Sequence, residues 1–394
     1  MVDFTTANSA LKTVYLGVLS NMLNLKTNPF FAQIKQSTKG VYGKEIKVLA
    51  PIGINGGIVA TSETGELPAT GNTKYVNLTS TLKNLYGKIE ISDKAIRASQ
   101  NSAGAFVNLL NDEMERLIEA SSFNMARMLY GNGKGYISEI CGISTDKKTL
   151  TVNNAQGILE GMVLDVCDGS NGTIPTGGSG FTVLSVDRAT NKVTFDKENS
   201  LTDVAEGSMY FVVHGSLNNE ITGIDALFDS SVTSVYGLTK SANPFVSGVS
   251  KTLGAAISEL AIIEQMDIAE ANSGNPVNFI VCDPAVRRKY QGLLITANKP
   301  VQTMEIEGGF KAYDFYGTPL LSDRLVDKGK MYLLNTNDFA FHQLCDWEWM
   351  CDENGSILTQ KAGYAAYNAT LVKYGDLICS APYGQVRISG ITLS

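Results

Sequence analysis

Residues 102–130 read SAGAFVNLLNDEMERLIEASSFNMARMLY, with no proline and one glycine, Gly104, near the start. Gly131, Asn132 and Gly133 follow at once. Helix breakers bound this run rather than interrupt it, so it predicts one long helix. At about 1.5 Å per residue it spans roughly 40 Å. With successive residues about 100° apart, Phe106, Val107, Leu110, Met114, Leu117, Ile118, Met125, Met128 and Leu129 share one face, while Asn108, Asp112, Glu115, Arg116 and Glu119 lie opposite. The apolar face is core. Leu109 and Phe123 fall outside it, and apolar side chains there call for a second contact, with another segment or another subunit.

The 394 residues are 44% hydrophobic and 18% charged, enough for a sizeable core and two or three structural units. The N-terminal residues MVDFTTANSALKT lack the basic start and apolar run of a secretory signal, and no stretch approaches about 18 apolar residues, so synthesis in the cytoplasm and no membrane association are expected. The six cysteines form no Cys-x-x-Cys pair, and runs such as FIVCD and DLICS suit buried free thiols. A net charge of −7 disfavours gripping nucleic acid through a general basic field.

Before the long helix, Ser9 to Leu25 is a short amphipathic piece, followed by Asn28-Pro29-Phe30-Phe31, aromatics expected to be exposed on an arm that cannot form a core alone. EIKVLAPI (45–52), GGIVATS (56–62), KYVNLTSTL (74–82) and LYGKIEIS (85–92) read as strands, and Asp93 opens a short helix, DKAIRAS. After the long helix, residues 133–216 are strand and turn throughout, with a hairpin at Val186–Val193, so a small barrel or sandwich is expected. Beyond Ile221, strands alternate with helices: Lys251 to Ala271 reads as helical with Glu264 at the edge of its apolar side, and Asp283-Pro284 opens the helix AVRRKYQGL. The fold class is α+β.

Catalytic signatures are missing from the sequence. There is no Gly-x-Ser-x-Gly elbow, His-Glu-x-x-His, phosphate loop or dinucleotide fingerprint. Gly131-Asn132-Gly133-Lys134-Gly135 follows a helix, whereas a phosphate loop precedes one, so it reads as a helix stop. His214 and His342 stand alone in strand-like runs, and Cys345 with Cys351 finds no second pair to complete a zinc site. Trp347 and Trp349 place two indoles on one face of a strand. No enzyme activity, cofactor, metal or catalytic residue is expected.

In the order of its parts the chain resembles the major capsid proteins of tailed bacteriophages, the Hong Kong 97 type fold. The resemblance implies an N-terminal arm over 1–40, an extended β-hairpin E-loop over 41–92 and a peripheral domain with spine helix over 93–133. It further implies an inserted β-barrel-like domain over 134–217, a mainly axial domain over 218–335, where DFYGTPLLSDR has the look of its strand and turn, and remaining axial and peripheral strands over 336–394. AGYAAYNATLVKYGDLICSAP resembles the returning peripheral strands. Some relatives crosslink an E-loop lysine to a neighbour's asparagine; Lys74, Lys83 and Lys88 lie in that loop, but no partner is assignable and the crosslink is not expected.

The implied function is a major capsid protein of a tailed phage or prophage, forming hexamers and pentamers of an icosahedral shell around double-stranded DNA that it does not bind specifically. Implied partners are other copies of itself, a separate scaffold protein, a portal protein and a decoration protein, with assembly in the host cytoplasm and residence in the virion. Candidate inter-subunit contacts are Phe30, Phe31, Leu109 and Phe123. The alternatives are an encapsulin-type compartment shell and, from another class, an α/β enzyme or binding protein with an accessory barrel.

Overall fold

The computed structural model describes residues 28–94, 103–169, 172–198, 208–298, 300, 302–306, 308–352 and 355–393, with the backbone alone for 103–112. The amphipathic piece over 9–25 and most of the short helix expected after Ser92 lie outside these residues. At the start, the Asn28 side chain accepts hydrogen bonds from the amides of Phe30 (2.9 Å) and Phe31 (3.1 Å), capping α1 (Pro29–Gln33). Proline is tolerated at the first helical position because its missing amide has no helical acceptor.

Next come β1 (Lys35–Ser37), β2 (Val41–Tyr42), β3 (Glu45–Ile52), β4 (Lys74–Thr81) and β5 (Lys83–Ser92). β2, β3 and β4 form a three-stranded antiparallel ribbon in which Ile52 faces Lys74. Residues 53–73 therefore lie beyond the ladder, and the strand expected over 56–62 does not form, although the backbone at Gly71 passes close to Gly56 and Gly57. β5 begins two residues earlier than its apolar pattern, because Lys83 and Asn84 already pair with Gly375 and Tyr374. Its alternation holds, with Leu85, Ile89 and Ile91 buried and Tyr86, Lys88 and Glu90 exposed.

The long helix, α2 (Ala103–Tyr130), buries Met114, Ile118, Met125, Met128 and Leu129 from the face expected to be core. It packs closely on β5 at Gly87, where a Cβ would stand 2.9 Å from Leu117 Cδ1 and 3.0 Å from Ser121 Oγ. Only glycine lets the helix approach the strand this closely. Six strands follow: β6 (Tyr136–Ile143), β7 (Thr149–Val152), β8 (Val163–Asp168), β9 (Phe181–Asp187), β10 (Lys192–Phe195) and β11 (Met209–Val213). They close a barrel in the order β10-β7-β6-β11-β8-β9 around Phe181, Phe195 and Phe211. Its expected hairpin joins β9 to β10, with Asn191 at φ 53° and the Asp187 carboxylate accepting from the amides of Ala189 and Thr190.

The rest of the chain supplies β12 (Ser234–Val235), β13 (Leu238–Thr239), β14 (Val249–Thr252), α3 (Glu259–Ser273), β15 (Phe279–Cys282), α4 (Pro284–Thr296), β16 (Thr303–Ile306), β17 (Phe310–Phe315), β18 (Thr318–Ser322), β19 (Met331–Leu334), β20 (Phe339–Trp349), β21 (Thr359–Gln360), β22 (Ala366–Cys379) and β23 (Val386–Ser389). A seven-stranded mixed sheet runs β14-β23-β19-β15-β18-β17-β16, and a five-stranded sheet joins β1, β20, β22 and β21 with β5 on β22. The helix expected from Lys251 starts instead at Glu259, capped by Ser258, because Val249–Thr252 pair in parallel with β23. Glu264 is exposed, and Leu260, assigned to the apolar side, is 75% exposed. Asp283 caps α4 as its sequence implies, accepting from the Ala285 amide at 3.1 Å. β15 buries both faces. Phe279 and Val281 join the core shared with α2 and the five-stranded sheet, while Ile280 and Cys282 join the core beneath α3 and α4.

Candidate assembly surfaces

The ribbon buries Ile46, Ala50 and Leu78 near its root and exposes apolar side chains toward its tip. Ile54 (84% exposed), Ile58 and Leu67, with Leu49 and Tyr75 on the strands, stand away from the body of their own subunit. Several large apolar side chains exposed on one projecting element make it a candidate interaction surface. The root is held by Asp376 on β22, fully enclosed, which accepts from Ser80 Oγ on β4 and from the Thr222 amide (2.7 Å) and hydroxyl (2.9 Å). Burial pushes the Asp376 carboxyl up from its ordinary value, against the pull of these hydrogen bonds. The Thr79 amide donates to the Tyr236 carbonyl at 3.0 Å and completes the clamp.

Phe30 and Phe31 are not on an exposed arm. Both are buried in their own subunit, Phe30 against Tyr130 of α2, Phe279 of the seven-stranded sheet and Phe339 of the five-stranded sheet, with centroids 5.3–6.5 Å away. Phe31 packs edge-on to Phe341 at 5.5 Å. The proline-capped turn is thus a plug where three elements meet, and neither ring is available to a neighbour. Beneath it, Tyr130 Oη donates to Asp323 Oδ2 (3.1 Å), and Asn28 Nδ2 reaches Asp323 Oδ2 (3.4 Å) and the Ala126 carbonyl (3.5 Å). Burial raises the Asp323 carboxyl and the Tyr130 phenol alike.

Phe123 is also largely enclosed, with the Arg324 guanidinium over its ring at 5.5 Å. It lies on the wall of a groove of about 1340 Å³ between α2 and the barrel, rimmed by Leu159, Met162, Val163, Val213 and Leu325. The Leu109 side chain lies outside the described residues.

Sequence patterns missed the charged groups at the joints. Lys373 on β22 is fully buried, 2.6 Å from Asp346 Oδ1 and within 5.2–5.8 Å of the rings of Phe31, Phe341 and Trp347. A bulge in β20 makes this pair: Cys345 faces Tyr374 and Glu348 faces Val372, so Asp346 and Trp347 together stand opposite Lys373. Desolvation lowers the Lys373 pKa despite Asp346. Arg127 and Glu220 form a second buried pair, bridging α2 to the chain leaving the barrel. The available signal was a lysine inside the apolar run ATLVKYGDLIC, where an unpaired cation would be costly.

His214 joins Ser179 and Asp165 on the barrel, a composition that invites a triad reading. The geometry opposes it. Asp165 Oδ1 lies 2.8 Å from His214 Nδ1, and Ser179 Oγ donates to that same carboxylate at 2.8 Å, 3.4 Å from the same ring nitrogen. A triad needs the serine on the other nitrogen. Burial alone would raise the Asp165 carboxyl, but bonds from His214, Gly180, Ser179 and Gly215 hold it below its usual value, so the cluster ties loops to β8. His342 Nδ1 meets the Lys39 carbonyl at 2.7 Å. Among the described residues no group of three or more His, Cys, Asp or Glu could hold a metal ion. None of the six cysteines is in a disulfide; Cys167, Cys282 and Cys379 are buried, but Cys141 within β6 and Cys351 just past β20 are exposed. No helix among the described residues is long and apolar enough to cross a membrane.

No family model matches the chain, and no curated protein sequence does. The capsid of cyanophage A-1(L) superposes over 95% of this chain and 93% of its own, with a TM-score of 0.53 at 12% identity. The chain has a phage capsid fold. Looser superpositions extend to Mycobacterium phage Bobi (TM-score 0.47, 8% identity, 99% of this chain and 98% of that one) and to the SrpI encapsulin of Synechococcus elongatus (0.44, 9%, 93% and 89%).

Proposed function

We propose that this chain is the major capsid protein of a tailed phage or prophage, a structural protein that assembles into hexamers and pentamers of an icosahedral shell around double-stranded DNA. The observation that carries the reading is the ribbon: a tip with exposed Ile54, Ile58 and Leu67, held at its root by Asp376 and Tyr236 and uncovered by the described residues of its own body. Such a tip gains stability by lying on the next copy, and many modest contacts add up to a durable shell. The fold shared with the cyanophage capsid supports the same role. A separate scaffold protein, a portal and a decoration protein are the proposed partners, and the net charge of −7 suits a wall that does not grip the packaged DNA.

Negative-stain microscopy and sedimentation of the purified protein, alone and with the scaffold protein from the same genome, test this. Capsomers, tubes or shells are expected. A strictly monomeric protein under all assembly conditions overturns it, and small nucleic-acid-free shells that co-purify with an enzyme cargo would move the assignment to an encapsulin-type compartment.

A further inference from the structure

β5 pairs with β22 along its whole length, from Lys83 against Gly375 to Ser92 against Ala366, and with no other strand among the described residues. Its second edge is left without a ladder. A groove of about 430 Å³ runs along that edge, lined by five consecutive residues, Asn84–Lys88. Successive residues of a strand point to opposite faces, so five in a row share a groove only along the strand's side. The facing wall is mixed: Leu117, Met125 and Met128 of α2 stand beside Asn124, whose buried side-chain oxygen has no hydrogen-bond partner among the described residues. Lys88 on this edge is exposed, and the nearby carboxylates are engaged, Glu90 by Lys361 at 2.9 Å and Glu220 by Arg127.

The ribbon tip carries the complement. Residues 58–62, IVATS, are exposed throughout, β-branched at Ile58, Val59 and Thr61, and paired with no strand among the described residues. The span 53–73 around them holds Glu63 and Glu66 and neither lysine nor arginine. We propose that residues 58–62 of a neighbouring copy add as a strand to the free edge of β5. This rests on the capsid reading and names the surface that receives the tip. An unpaired strand-former meets an unpaired edge of equal length, about 17 Å. Its flanking carboxylates meet an edge whose uncompensated charge is Lys88. The tip cannot reach its own β5, because the ladder of Glu45–Ile52 with Lys74–Thr81 holds it about 26 Å from the strand's start, so the occupant comes from a second copy.

The test mixes two full-length proteins, one with Val59→Cys and one with Tyr86→Cys, both with the exposed Cys141 and Cys351 changed to serine, and treats them with a bismaleimide after concentration. Expected is a link between chains, roughly tenfold above the yield when Ile295→Cys on α4 replaces Tyr86→Cys. A yield no higher than this control while capsomers or shells form overturns the proposal and leaves the capsid reading standing; a protein that never associates overturns both. A second measurement needs no assembly: a fluorescent peptide of residues 55–67 is titrated into dilute full-length subunit. Saturable binding is expected, weakened several-fold by Lys88→Glu with the thermal transition retained. No binding, or binding that Lys88→Glu leaves unchanged, overturns the proposal.

Discussion

Asn28 serves two demands with one amide: its oxygen caps α1 and its nitrogen joins the buried Asp323 network. Asn28→Ala should cost about 1–2 kcal/mol, the usual loss for a cap, measured by urea unfolding. Lys373 poses the opposite problem, a cation that burial penalises and Asp346 repays. Asp346→Ala should cost about 3 kcal/mol because it strips the ion pair from an enclosed ammonium, while adding Lys373→Met should restore most of the loss. Asp376 makes stability depend on pH. Its carboxyl is raised in the folded subunit, so the fold holds that proton more tightly than the unfolded chain does. From the ordinary carboxylate value near about 4 upward to the raised one, its contribution falls as pH rises. The urea midpoint of Asp376→Asn relative to wild type should therefore increase across that window, and a constant difference would contradict the assignment. Phe123→Asp should destabilise the subunit itself, since its ring is enclosed.

At the scale of elements, the ribbon divides into separable parts. Replacing residues 53–73 with Asn-Gly closes β3 onto β4 at the Ile52 and Lys74 pair with a two-residue turn. The product should keep the wild-type unfolding transition and lose higher-order assembly by sedimentation. Removing 54–84 should instead unfold the body, because that cut takes the Asp376 clamp and the start of β5 with it. Element legibility followed locality. The end of α2 at Tyr130 is written in Gly131 and Gly133, and the cap of α4 in Asp283-Pro284. The start of α3 was illegible because Leu253, Ala256 and Ile257 continue a helical spacing, while β23, far along the chain, draws Val249–Thr252 into a sheet.

Across the whole molecule, three cores are joined at few points. The barrel closes on its own phenylalanines, β15 shares its two faces between the other cores, and α1 plugs the seam between α2 and the two large sheets. Among the described residues the ribbon tip exposes Ile54, Ile58 and Leu67, and a protein so built should sediment as oligomers once concentrated.

The sequence by itself determined the long helix, the run of short strands after it, the β5 alternation and the acidic, motif-poor character that led away from catalysis. These follow from periodicity, breakers and composition, which act within a few residues. Tertiary structure alone decided that Phe30 and Phe31 belong to the core, that Lys373 meets Asp346 across a bulge, and that residues 53–73 find no partner strand. Burial and strand pairing depend on chain segments far apart in sequence, and no local pattern records which ones meet.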